Sequence, residues 1–130
     1  MGNAMKKLVL IVDDEAHIRS YLRKVCGAID DVNCIEASCA TEAVELLSTH
    51  DPALVISDLS MSGETGLHIL EHLIATGRKM PFMIYSGTVS PEEEDKLRDA
   101  GADLVLRKPA GFSELSEAIC RLLAAGRTKR

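Results

Sequence analysis

Tryptophan is absent from this 130-residue sequence, which has only two Phe and two Tyr. Any core must therefore be aliphatic, built from Leu, Ile, Val and Ala. No apolar run approaches the ~20 residues that a membrane-spanning helix needs. The first run, LVLIV, stops at Asp13 and is too short for the hydrophobic region of a signal peptide. Positive charge is not in excess either: 15 Lys and Arg against 20 Asp and Glu leave a formal charge of −5. That balance argues against nucleic acid as a direct ligand, because phosphate-backbone binding needs a basic surface. Cys26, Cys34, Cys39 and Cys120 show neither CxxC spacing nor a metal-ligand pattern with the histidines. They read as reduced thiols, and a cytoplasmic location with no membrane contact is expected.

What is present suffices for one domain. The chain is 46% hydrophobic and 27% charged, the balance of a globular protein and not of a disordered tail. Residues 1–5 read as an N-terminal extension or cloning remnant, 6–125 as the folded domain, and 126–130 as a basic, solvated tail or the start of a linker.

Short apolar runs at 8–12, 32–37, 54–57, 82–86 and 104–106 alternate with amphipathic stretches along the whole domain. The first, third and fourth runs are continuously apolar, the signature of strands buried on both faces in a parallel sheet. Helical spacing of apolar residues marks 15–26, 41–47, 67–76, 91–100 and 114–125. Gly27, Gly77, Gly101 and Gly126 are expected at left-handed helix stops. Ser90-Pro91-Glu92-Glu93 reads as a capping box with proline in the first turn. Strict β/α alternation predicts a three-layer, doubly wound α/β domain with a five-stranded parallel sheet and five helices. Ligands of such sheets bind outside the carboxyl ends of the strands.

That edge collects the polar residues. Asp13 and Asp14 end the first strand, Asp58 the third and Ser86 the fourth, and Lys108 follows the fifth. Singly, each has an ordinary explanation as a turn or a helix cap. Jointly they form a complementary set. Three carboxylates around one point repel one another unless a cation intervenes. Mg²⁺ suits such oxygen ligands together with water and phosphate. A carboxylate can also attack phosphorus to give an acyl phosphate, with Lys108 and the Ser86 hydroxyl serving the phosphoryl oxygens.

The motifs LVLIVDD, DLSMSGETG, PFMIYSG and GADLVLRKP together resemble the response-regulator receiver domain of two-component signalling. The resemblance implies the flavodoxin-like strand order 2-1-3-4-5. It implies Asp58 as phosphoacceptor, and Mg²⁺ held by Asp13, Asp14, Asp58 and the backbone carbonyl of Ser60. Ser86 would move toward the phosphoryl group, and Lys108 would contact it. It further implies a phosphohistidine donor on a histidine kinase or phosphotransfer protein, and a downstream protein or linked output domain as the receiver of the signal. Phosphorylation is expected to report at the face of 91–100, the fifth strand and 114–125, where dimerisation is left open.

Three positions depart from the family pattern. Val105 stands where an aromatic switch residue is usual, and its β-branched side chain cannot swing in the same way. Output is therefore expected to pass through the backbone after Ser86. Tyr85 alternates to the face opposite Ser86, so no direct substitute is expected from it. Ser62 replaces a common proline and should loosen its loop. Ala110 replaces an aromatic residue whose space Phe112 is expected to fill. His68 and His72 have helical i, i+4 spacing but lack a third ligand.

The rival reading is an aspartyl-nucleophile phosphatase of the haloacid dehalogenase type. It would need a second Asp at position 60, where Ser60 stands. A nucleotide-binding module would want a glycine-rich turn where the chain has Asp13-Asp14-Glu15-Ala16.

Overall fold

A computed structural model of the chain describes residues 6–128; the expected extension at 1–5 and the last two residues of the tail lie outside the described residues. In chain order the elements are β1 (Lys7–Val12), α1 (Ala16–Gly27), β2 (Val32–Ala37), α2 (Ala40–Leu47) and β3 (Leu54–Ser57). After them come β4 (Ser60–Met61), β5 (Glu64–Thr65), α3 (Gly66–Ala75), β6 (Phe82–Ser86), α4 (Pro91–Ala100), β7 (Leu104–Arg107) and α5 (Phe112–Ala125). The main sheet runs β2-β1-β3-β6-β7 with every pairing parallel. Leaving aside β4 and β5, this is the expected order 2-1-3-4-5. The short antiparallel pair β4–β5 was not expected. Its two-residue strands lie within a turn-rich segment and carry no periodic signal.

Strand alternation splits the core into two layers. Val9 and Ile11 of β1, with Leu54, Ile56, Met83 and Tyr85, pack against Leu22, Val25, Leu115 and Ile119 of α1 and α5. Leu10, Val12, Val55, Phe82 and Ile84 pack on the other face against α2, α3 and α4 through Ala43, Leu47, Ile69, Leu73 and Leu97. Each such fully buried aliphatic side chain contributes about 1.5–3 kcal/mol. Together these two layers hold the strand ends in fixed register, and that positions the site.

The helix ends largely match the sequence signals. Ser90 and Glu93 form the capping box, with Pro91 in the first turn. Gly77, Gly101 and Gly126 have positive φ. Gly27 is a correction in geometry only: α1 ends at it, but it is the last helical residue, and Ala28 caps the helix in ordinary right-handed geometry. Helix α5 begins two residues before its expected start, at Phe112, which is 44% exposed. Contrary to expectation, Phe112 is not part of the packed cluster that contains Ala110. The tail is not simply solvated, because the Thr128 N–H donates to the Lys79 carbonyl at 2.7 Å. All four cysteines are free thiols, and burial pushes Cys26 up to about 12. Among the described residues no helix is long and apolar enough to cross a membrane.

Candidate functional site

Ladder hydrogen bonds carry the site residues just beyond the strand ends. The Asp13 N–H donates to the Ala37 carbonyl at 3.1 Å, and the Asp58 N–H to the Val12 carbonyl at 2.9 Å. The Lys108 N–H donates to the Ser86 carbonyl at 3.0 Å. Asp13, Asp58 and Ser86 are buried and Asp14 is exposed. The Lys108–Pro109 peptide is cis.

Four of the five groups converge, Asp13, Asp14, Asp58 and Lys108. Lys108 Nζ donates to Asp13 Oδ2 at 2.8 Å and to Asp58 Oδ2 at 3.2 Å. Asp13, Asp14 and Asp58 each offer a carboxylate oxygen within 4.8 Å of the others. A divalent cation with bonds of about 2.1 Å needs cis oxygens about 3 Å apart. Small side-chain movements close that gap, so the donor set fits a hard cation. His68 and His72 belong to no such group among the described residues.

The pocket's electrostatics follow from burial and crowding. Burial raises Asp13 above the ordinary carboxylate range, and the nearby Asp58 charge adds to it; hydrogen bonds from Lys108 and the Glu15 N–H only partly offset the rise. Burial alone would lower Lys108, but Asp13 and Asp58 together outweigh it and hold the ammonium above its usual value. The lysine is thus a resident counter-ion for two carboxylates.

Several supports were not legible in the sequence. Arg19 Nη1 donates to the Asp13 carbonyl at 2.7 Å, while its Nε bonds Glu36 at 3.2 Å. Ser57 Oγ donates to the Asp58 carbonyl at 2.7 Å. Gly66 opens α3 directly against that carbonyl, and a Cβ there would lie 2.3 Å from it. Only the second glycine of DLSMSGETG hinted at such a close approach.

Ser62 corrects an expectation. In place of loosening its loop, it donates through both N–H and Oγ to Asp14 Oδ2, each at 3.1 Å. Proline has no N–H and could make neither bond. The donors fix one rotamer of an otherwise exposed carboxylate and leave its second oxygen free. Ser62→Ala is expected to weaken Mg²⁺ binding about twofold and Ser62→Pro about fivefold. Unchanged dissociation constants by calorimetry would count against that role.

A doubly wound parallel sheet with an acidic pocket and a lysine on its carboxyl edge defines the class of this protein. The chain belongs to the response regulator receiver domain family of two-component signalling, whose model matches residues 9–120. It is 35% identical over 116 residues to the transcriptional regulatory protein PdtaR of Mycobacterium tuberculosis, covering 89% of this chain and 56% of that protein. The chain thus spans about half the length of this curated relative. A response regulator receiver protein from Pseudomonas putida is 28% identical with a TM-score of 0.81, covering 92% of this chain and 99% of the other. The receiver domain of a LuxO-type repressor from Vibrio parahaemolyticus has a TM-score of 0.88 at 18% identity, covering 92% of each chain, and shows the shared fold alone.

Proposed function

We propose that the chain is a phosphoryl-accepting switch in which Asp58 takes a phosphoryl group from a partner phosphohistidine. The observation that carries this reading is the convergence of Asp58, Asp13 and Asp14 around one point, with the Lys108 ammonium bridging two of them. Bound Mg²⁺, held by Asp13, Asp14, Asp58 and the Ser60 carbonyl, would supply charge neutralisation for the transferring group. The chain's own residues do the rest. An Asp58 carboxylate oxygen attacks phosphorus, the N–P bond breaks, and the imidazole keeps the electron pair and takes up a proton. Lys108 moves from carboxylate to phosphoryl oxygens, and Ser86 donates its hydroxyl to them. Hydrolysis of the acyl phosphate by water at the same site resets the switch, so the chain catalyses its own turnover and is not an enzyme acting on other substrates.

Residues 6–125 make up this receiver unit in a cytoplasmic pathway. Its donor is a histidine kinase or phosphotransfer protein, and its target is a downstream protein or a linked output domain. The signal leaves through the backbone after Ser86 and the α4–β7–α5 face, which also serves any dimer. Val105 supports a route without a swinging aromatic residue: it is 5% exposed and packs in the cluster that contains Leu97 and Ala102. A phosphatase of the haloacid dehalogenase type is disfavoured by Ser60 at the position of its second Asp.

Incubation with Mg²⁺ and acetyl phosphate, followed by intact mass, tests the reading. The native chain is expected to gain one acid-labile phosphoryl group, and Asp58→Asn to gain none. A native chain without the adduct, or an Asp58→Asn chain that still carries it, would sink the proposal.

A further inference from the structure

Behind Lys108, two tyrosines hold one residue through its two flanking peptides. The Ala110 N–H donates to Tyr85 Oη at 3.0 Å, and Tyr21 Oη donates to the Ala110 carbonyl at 3.1 Å. The Tyr85 ring also lies against the lysine, with Nζ 5.8 Å from the ring centroid. Tyr85 is only 2% exposed, so its hydroxyl has little access to water. A buried hydroxyl is costly without a partner, and the Ala110 N–H supplies one.

The segment carrying Lys108 is thereby fixed at both ends. Its start is bonded to β6 through the Lys108 N–H and the Ser86 carbonyl at 3.0 Å. Its end is gripped by the two phenols at Ala110. Between these anchors, the ammonium has Asp13 and Asp58 on one side and an electron-rich ring face within cation–π reach. A lysine side chain is a flexible four-carbon stem. These contacts confine its head to the carboxylate cluster and make any transfer to a phosphoryl group on Asp58 a short one.

We infer that Tyr85 is a positioning residue for Lys108, with Tyr21 on α1 as its second support. The reaction it serves rests on the proposal that Asp58 is the acceptor. A phenylalanine would fill nearly the same core volume among Leu115, Ala118 and Ile119. What only tyrosine adds is the hydroxyl, and that hydroxyl is spent on the Ala110 peptide. Tyr85 thus reaches the lysine's segment from the face opposite Ser86.

The test separates ring from hydroxyl. Tyr85→Phe keeps the ring, Tyr85→Leu removes both, and Tyr21→Phe removes the second support. Three readouts are taken on the full chain: the Mg²⁺ dissociation constant by calorimetry, the rate of acyl-phosphate formation from acetyl phosphate at saturating Mg²⁺, and Ala110 amide exchange by NMR. Tyr85→Phe is expected to slow phosphorylation about fivefold and speed Ala110 exchange about tenfold, with Mg²⁺ binding within about twofold of native. Tyr85→Leu should slow phosphorylation about 30-fold. Tyr21→Phe should produce a smaller loss of about twofold. A Tyr85→Phe chain that phosphorylates at the native rate overturns the inference. So does a loss of rate matched by an equal loss of Mg²⁺ affinity, because that is general damage to the pocket. If Tyr85→Leu fails to fold, Tyr85→Phe decides alone. If the native chain takes no phosphoryl group, the acceptor reading fails. The positioning claim is then decided by the Lys108 side-chain resonance, which Tyr85→Phe shifts if the hydroxyl sets the lysine and leaves unmoved if it does not.

Discussion

Replacing Gly66 by alanine is expected to destabilise the protein by about 3 kcal/mol and to slow phosphorylation of Asp58 by about 100-fold. Intrinsic propensity points the other way, since alanine in a helix is favoured over glycine by about 1 kcal/mol. The contact decides the sign. An added Cβ would meet the Asp58 carbonyl oxygen at 2.3 Å and Ser57 Oγ at 2.8 Å, far inside van der Waals distance. Neither neighbour yields cheaply. The Asp58 N–H is tied to the Val12 carbonyl at 2.9 Å, and the Asp58 carbonyl itself accepts from Ser57 Oγ at 2.7 Å. Relief must come from moving the Asp58 peptide or the start of α3, and moving the former shifts the reacting carboxylate. Gly77→Ala is the control. Its φ of +68° makes alanine strained, but nothing lies within 4 Å of the added carbon. It should cost about 1 kcal/mol and leave the phosphorylation rate alone. Chemical denaturation and the acetyl phosphate assay measure both quantities. Equal behaviour of the two variants would show that crowding at Asp58 is unimportant.

Lys108→Met is expected to have opposite effects on metal binding and on chemistry. In the metal-free protein it removes the counter-ion shared by Asp13 and Asp58, whose side chains are 1% and 8% exposed. Leaving buried carboxylates uncompensated costs about 3 kcal/mol. Mg²⁺ should restore much of that loss, because a ligand bound only to the folded state stabilises it by mass action. Mg²⁺ binding should itself tighten about tenfold, since a competing cation has left the site. Phosphorylation should nevertheless fall about 100-fold for want of a charge on the phosphoryl oxygens.

The stability loss also depends on pH. Asp13 already sits above the ordinary carboxylate range because of burial, and loss of the lysine pushes it further in that direction. A carboxyl raised in the folded state favours folding below its unfolded value, and that advantage disappears as pH rises through the folded value. The deficit of Lys108→Met should therefore shrink on acidification below neutrality and be fully expressed above the raised Asp13 value. Denaturant melts at several pH values, with and without Mg²⁺, read these effects. A deficit that is independent of pH and unaffected by Mg²⁺ would show that Lys108 is not the counter-ion of this pocket.

Much of the fold was legible because its signals are local. The runs at β1, β3 and β6 are continuously apolar, and the amphipathic stripes between them have helical period. Alternation along β1 then divides Val9 and Ile11 from Leu10 and Val12 between the two layers. Capping chemistry at Ser90 and Glu93 was equally local and appears as expected. Gly27 was misread in its geometry and not in its place: α1 ends at that residue, but a glycine at a helix end need not be left-handed. The β4–β5 pair was missed because two-residue strands leave no period to detect.

The sequence by itself determined the alternating architecture and the identity of the groups at the strand ends. Asp13, Asp14, Asp58, Ser86 and Lys108 are readable as a set because strand length and the apolar pattern place each at the same edge. Tertiary structure decided everything that depends on which side chain meets which backbone. Ser62 became an anchor for Asp14, Gly66 became the necessary gap beside the Asp58 carbonyl, and Tyr85 became a neighbour of Lys108 from the opposite face. Phe112, expected inside, turned outward. The physical reason is the same in each case. Periodicity fixes the face a residue occupies, but contacts of about 3 Å between distant segments are set only when helices and loops are packed against the finished sheet.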